Sequence, residues 1–409
     1  MSKTRNRLGI ISYVLIAVLV FTAIFNVALS GKMLVANGAS NSVNSAAAGS
    51  DGTFVKVDKN FDGIREQYLN HELVEKNTAS YDDERWVIVE LEGDTLYDKF
   101  NSSTRYNDFA AYGNSVEGKK AKANILATQQ SFLSKLDKHG IDYSFKHSYS
   151  ALTNAVAVKV NAEAYNAIRK MNGVVDVYYS ESYAVPTVAV VNNANVYTTG
   201  IYDSSNVEDK DGNKYRGEGM VVAVLDTGLD YTHEAFAKLP ENNLGWTKEY
   251  VQSVLDSKRL NAVGTVDDFY YSDKVPFAYD YADDDADVYP SYSSHGTHVA
   301  GIVAGSSDYI VNKENGGDEK FVGVAPEAQL VICKVFTDNL DSDSIGGANT
   351  HDILAAIEDC TLLGVDVINM SLGSSAGFSD EKSKDYINKV YAEVEKAGIS
   401  LVVAASNDY

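Results

Sequence analysis

Six consecutive apolar residues, Met220-Val221-Val222-Ala223-Val224-Leu225, run straight into Asp226-Thr227-Gly228. A strand with one solvated face alternates apolar and polar residues, so an unbroken run of this kind demands cover on both sides. The chain supplies that cover. Apolar strand patterns at 328–336, 365–372 and 399–405 are separated by helical patterns at 351–363 and 380–397. Strand and helix alternating in this way predict a parallel sheet with helices on both faces, an α/β architecture. Buried parallel strands present functional residues at their C-terminal ends, which makes Asp226 a candidate.

The N-terminal half reads differently. A strand pattern at 86–91 is followed by a helix at 116–136, where Ile125, Phe132, Leu133 and Leu136 recur at helical spacing. Strands at 141–149 and 154–161, a helix at 162–171 and a strand at 174–179 complete a β-α-β-β-α-β, ferredoxin-like α+β domain. Ahead of it, a basic start at residues 2–7 and an apolar run at 8–29 predict an export signal. The small-x-small site Ala28-Leu29-Ser30 favours cleavage before Gly31, while the run is also long enough to stay as a membrane anchor. The expected organisation is a signal segment at 1–30, a linker at 31–80, the α+β domain at 81–185 and the parallel-sheet domain at 186–409. Within the linker, Asp58-Lys59-Asn60-Phe61-Asp62-Gly63 copies half of a calcium loop, but Leu69 stands where the bidentate Glu belongs, so an Asx turn is expected.

A second segment bears on chemistry. Ser293-Ser294-His295-Gly296-Thr297-His298-Val299-Ala300-Gly301-Ile302-Val303-Ala304-Gly305 is a polar turn feeding a helix of small residues, which packs closely against a sheet. An Asp and a His delivered by such elements are two members of a nucleophilic triad. Asp226-Thr227-Gly228 with His295-Gly296-Thr297-His298-Val299-Ala300-Gly301 resembles the subtilisin-like serine proteases, the subtilases, in which Asp precedes His and the serine comes last. The stretches 275–283 and 322–330 resemble the lactocepin branch of cell-envelope proteinases. The likeness covers roughly residues 81–409.

That resemblance implies a secreted or cell-envelope endopeptidase precursor. It makes His295 the general base, Asp226 its orienting carboxylate, and Asn407 an oxyanion donor. Ser371, Leu372 and Gly373 become the edge on which an extended peptide substrate pairs. His298 is expected to pack at the helix start. Ser406 departs from the usual glycine beside Asn407. Ala235 stands where many subtilases have a calcium-ligating acid. Residues 81–185 are then an inhibitory propeptide whose C-terminal tail enters the cleft, with processing between 183 and 193. No Gly-Thr-Ser-Met segment occurs before Tyr409, so a chain of these residues is expected to be inactive, with a marginal catalytic domain left partly uncovered. The alternative is a propeptide-led binding module that chaperones or inhibits a separate protease.

Composition narrows the partners. A net charge of −22 would repel nucleic acid phosphates, and membrane contact is expected only through the N-terminal segment. No cofactor is required for the chemistry and no metal site is assigned, although structural calcium stays open. The run Asp283-Asp284-Asp285-Ala286-Asp287 is expected to be a solvated loop within a polar, Tyr-rich segment at 239–291. Cys333 and Cys360 are expected to be buried thiols. Gly373-Ser374-Ser375-Ala376-Gly377 matches a nucleophile elbow, but that fold needs its acid and His downstream, and the last histidine is His351. Aspartic-protease chemistry needs two paired carboxylates, and only one Asp-Thr-Gly is present.

Overall fold

A computed structural model describes residues 46–48, 54–56, 84–183, 215–237, 244–257, 260–310, 320–339, 347–373 and 381–404. The expected signal segment, nearly all of the linker with its half calcium loop, the expected processing stretch beyond Tyr183, Ser406 and Asn407 lie outside these residues.

The first unit is built on a four-stranded antiparallel sheet. Its strands are β1 (Arg85–Leu91), β2 (Ser144–Tyr149), β3 (Ala155–Val160) and β4 (Val174–Tyr179), in spatial order β2-β3-β1-β4. Between β1 and β2 come α1 (Leu96–Asn101), α2 (Phe109–Asn114) and the long α3 (Val116–Lys138); α4 (Ala162–Ile168) links β3 to β4. This is the expected β-α-β-β-α-β order with two added short helices. At six residues each, α1 and α2 are too short to show a period. Their caps were the available signal: Thr95 and Asp98 form a capping box, and Asp108 accepts from Ala111 N–H.

The sheet is apolar on both faces. Val87, Val89, Val156, Val158 and Val177 pack with Phe132, Leu133, Leu136 and Ile168 of α3 and α4. Ile88, Tyr149, Ala155 and Ala157 on the opposite face join a core shared with the second unit. Alternation along β1 therefore sorts residues between two cores instead of between core and water.

The second unit centres on a five-stranded parallel sheet of β6 (Val221–Asp226), β7 (Phe277–Asp280), β10 (Gln329–Lys334), β12 (Val367–Met370) and β13 (Ser400–Val403). A two-residue β5 (Ser182–Tyr183), the antiparallel pair β8 (Ser306–Ile310) and β9 (Lys320–Val322), and β11 (Ala348–Asn349) are the remaining strands of the two units. The sheet order is β13-β12-β6-β10-β7, so the first strand lies at the centre and the later ones are laid down on either side of it. Such a reversal opens a crevice at the C-terminal end of the central strand, which is where Asp226 lies. Helices α8 (Thr350–Leu363) and α9 (Glu381–Lys396) follow β11 and β12 at close to their expected limits, and α8 is capped by Gly364 at φ 81°. The sheet of the first unit lies across α8 and α9.

The segment expected to be polar from 239 to 291 holds more structure than its composition suggested. It contains α5 (Lys248–Leu255), the four-residue α6 (Val266–Phe269) and the edge strand β7. Tyr279 and Tyr281 were counted with the polar residues, yet both are buried in an edge-to-face ladder with Phe269. Burial of the ring outweighs the hydroxyl, which for Tyr281 donates to Asp359. Asp283, Asp284, Asp285 and Asp287 are exposed, as expected.

Candidate active site

Asp226 is delivered by β6 and is 1% exposed. Its Oδ1 lies 2.8 Å from Nδ1 of His295, the first residue of α7 (His295–Ala304), and also accepts the Thr227 N–H at 2.8 Å. Its Oδ2 is buried and has no hydrogen-bond partner among the described residues. The carboxylate therefore fixes the imidazole with the proton on Nδ1 and leaves Nε2 free to accept one. The His295 side chain is 14% exposed, enough for a reacting group to reach it.

The small and hydroxylated residues of both motifs clasp the two elements together. Thr227 Oγ1 accepts the Gly296 N–H at 2.9 Å and donates to Ser293 O at 2.9 Å, while Thr297 Oγ1 accepts the Asp230 N–H at 2.8 Å. Gly228 turns at φ 105°, and a Cβ there would press into Val288 O; a Cβ on Gly296 would press into Gly228 O. His298 departs from expectation in being exposed, although partial burial and the nearby His295 lower its pKa. Ala235 is buried in the second core of the parallel-sheet unit and offers no carboxylate.

Ser371, Leu372 and Gly373 continue β12. Met370 is in register with Leu225, so Ser371 and Asp226 end adjacent parallel strands. Among the described residues, however, the extended tail of the first unit pairs elsewhere. β5 runs antiparallel to β11, with Ser182 opposite Asn349 and Tyr183 opposite Ala348. Thr350 N–H donates to Glu181 O at 2.9 Å and extends that ladder. Nothing in a two-residue strand could have announced this edge in the sequence.

Helix α8 is the second feature that sequence reasoning missed in part. All 14 of its residues are buried, including His351, Asp352, Glu358 and Asp359. Glu358 accepts the backbone N–H groups of Ser150, Ala151, Leu152 and Thr153 at 2.9, 2.6, 2.7 and 3.4 Å. Asp352 accepts Lys146 Nζ at 2.7 Å and faces His147 Nε2 at 3.0 Å. Asp359 turns to its own unit and accepts Asn261 and Ala262 N–H. His351 stacks on Trp86 at 4.7 Å, and its Nδ1 lies 2.7 Å from Ser180 Oγ. Burial drives the His351 pKa down to about 3, so it is neutral and its 3.5 Å approach to Asp352 is no ion pair. Burial acts to raise Asp352, but the hydrogen bond with His147 and the Lys146 ammonium outweigh it and hold the carboxyl below its ordinary range. Glu358 is pushed up by burial, against the pull of the Leu152, Ala151 and Ser150 amides and of Lys122. The available signal was spacing: His351 and Glu358, like Asp352 and Asp359, lie seven apart on one helix face.

Asp280, Asp283 and Asp338 bring three carboxylates together, and Lys334 Nζ is the cation among them. The Asp226–His295 pair thus joins a carboxylate at the end of a central parallel strand to an imidazole at a helix start. Residues 217–409 match the subtilase family, and residues 87–185 match the peptidase inhibitor I9 family. The two stretches are a subtilase domain and the I9 domain that precedes it. The PI-type proteinase of Lactococcus lactis subsp. cremoris is 30% identical over 302 residues, 72% of this chain and 14% of the relative. The C5a peptidase of Streptococcus pyogenes serotype M18 is 32% identical over 207 residues, 50% of this chain and 16% of that one. The chain thus spans about a seventh of the length of the relatives it matches. Fervidolysin from Fervidobacterium pennivorans, a keratinolytic enzyme related to subtilisin, overlays with a TM-score of 0.44 at 18% identity, over 80% of this chain and 40% of that one.

Proposed function

We propose that the protein is the precursor of an exported, subtilisin-like serine endopeptidase of lactocepin type. The 2.8 Å contact between Asp226 and His295, inside the stretch that matches the subtilase family, carries this reading. In it, His295 Nε2 takes the proton of a serine hydroxyl as that oxygen attacks a peptide carbonyl, and Asp226 stabilises the imidazolium that forms. Asn407 donates to the developing oxyanion. The substrate is an extended peptide held by main-chain bonds on Ser371–Gly373. The I9 domain acts as an intramolecular inhibitor, a role supported by the docking of β5 on β11. Residues 1–30 direct export, and among the described residues no helix is long and apolar enough to cross a membrane.

The 409 residues contain no Gly-Thr-Ser-Met segment. A polypeptide of these residues alone is therefore proposed to hydrolyse no peptide bond. Treating it with a fluorophosphonate probe should label no serine, and stoichiometric labelling of any serine would overturn that part of the proposal. Reading the coding frame past the Tyr409 codon tests the rest. In a product that carries the serine, His295→Ala should lower kcat by about 10⁴-fold or more. Unchanged turnover would remove His295 from the mechanism.

A further inference from the structure

Two thiols meet where the parallel sheet touches α8. Cys333 on β10 and Cys360 on α8 are fully buried, their Sγ atoms are 3.5 Å apart, and they are the only cysteines in the chain. They lie within the shared apolar core, which also holds Leu225, Val331 and Ile357, with the buried Asp359 and Tyr281 nearby. Burial and the neighbouring Cys360 push the Cys333 thiol well above its ordinary range, so it stays protonated in the packed core. Neither sulfur contacts the Asp226–His295 pair, and the peptidase reading gives them no task.

We propose that Cys333 and Cys360 close into a disulfide when the chain meets a disulfide oxidant, stapling β10 to the helix that holds the I9 domain. Bonded sulfurs lie about 2 Å apart, so closure from 3.5 Å is a movement on the scale of a side-chain rotation. One cysteine, as thiolate, attacks a small-molecule disulfide RSSR and expels one RS⁻. The second cysteine then attacks the mixed disulfide at the protein sulfur and expels the other. Two electrons pass from the protein to RSSR, and the two thiol protons leave on two RSH. A buried, protonated thiol is a poor nucleophile, so the exchange belongs to the stage before β10 and α8 pack. Packing afterwards shields the bond from reductants. The staple would fix Asp352 and Glu358 relative to the sheet whether or not the domain is a working peptidase.

The test is a redox equilibrium on the full chain as purified. The protein is unfolded in guanidinium and refolded into buffer holding defined ratios of reduced to oxidised glutathione, until samples begun reduced and begun oxidised agree, then quenched in acid and alkylated. The bonded form is then counted as the species that takes up no alkyl group, against two on the dithiol, and by a linked peptide containing Cys333 and Cys360. The glutathione ratio at half-oxidation gives an effective concentration, which should be at least about 100-fold higher in buffer than in concentrated guanidinium. A ratio of about 100 or more supports the staple, and any lower value overturns it. Thermal melting gives a second readout. Oxidised protein should melt about 5 °C or more above reduced protein. Cys360→Ser should abolish that difference, and if it does not fold, the equilibrium measurement decides alone.

Discussion

Each residue of the Asp-Thr-Gly and His-Gly-Thr motifs has a separate physical task. In the proposed mechanism Asp226 and His295 carry the proton chemistry, while in the structure Thr227 and Thr297 bond the two segments and Gly228 and Gly296 permit their close approach. Gly296→Ala drives a methyl group into Gly228 O on the rigid side of the clasp, and should cost about 1–3 kcal/mol of stability. Urea unfolding of the full chain measures this, and a loss indistinguishable from zero would mean that crowding at the clasp is not what Gly296 avoids. Asp226 and His295 were legible because their neighbours in sequence are also their neighbours in space. Glu358 was not, because the four N–H groups that explain it are about 200 residues away in sequence.

Among the elements, α8 has the most demanding role, since it packs on the sheet of its own domain and receives the I9 domain. Periodicity revealed the helix but not its burial on every side, because buried acids look like a solvated face until their partners are known. Glu358→Ala would leave four buried N–H groups of residues 150–153 without an acceptor. Hydrogen exchange of those amides should accelerate by about 30-fold or more, equivalent to about 2 kcal/mol. Exchange as slow as in the parent would show that the carboxylate does not hold the segment.

His351 gives the same surface a pH dependence. Its pKa falls from 6.5 to about 3 on burial, so a separated or unfolded state takes up a proton that the packed state refuses. The contribution is fully present above pH 6.5 and is lost as pH falls towards 3, with a slope of up to about 1.4 kcal/mol per pH unit. Asp352, also held low, acts in the same direction at lower pH, while Glu358 and Asp359, held high, act in the opposite direction. The difference between the parent and His351→Gln isolates the histidine. That difference in stability should shrink from pH 6.5 to 4.5, and a constant difference would refute a neutral buried His351.

At the scale of the molecule, the two domains share one apolar core. Residues Ile88, Tyr149 and Ala157 of the I9 domain and Ile353, Ile357 and Val390 of the subtilase domain belong to a single cluster. One core predicts one transition. The chain has two tryptophans, Trp86 at the domain junction and Trp246 inside the subtilase domain. Trp86→Phe and Trp246→Phe variants, each reporting through the remaining indole, should unfold in urea at coincident midpoints. Separated midpoints would show that the domains melt independently. The architecture was legible domain by domain, through strand runs and helix periods. The contact between domains was not, because an apolar face gives no address for the surface that covers it.

If the I9 domain is released, its sheet with two apolar faces would make departure a one-way event. Released after a cut beyond Tyr183, the domain would keep one face covered by α3 and α4 and expose Ile88, Tyr149, Ala155 and Ala157 to water. Such a body is adhesive, and self-association or degradation would outrun its return. Sedimentation of released residues 84–183 should show mass rising with concentration, and a stable monomer at high concentration would argue for a reversible brake. If it does associate, the domain acts as a ratchet, spent in the act of letting go.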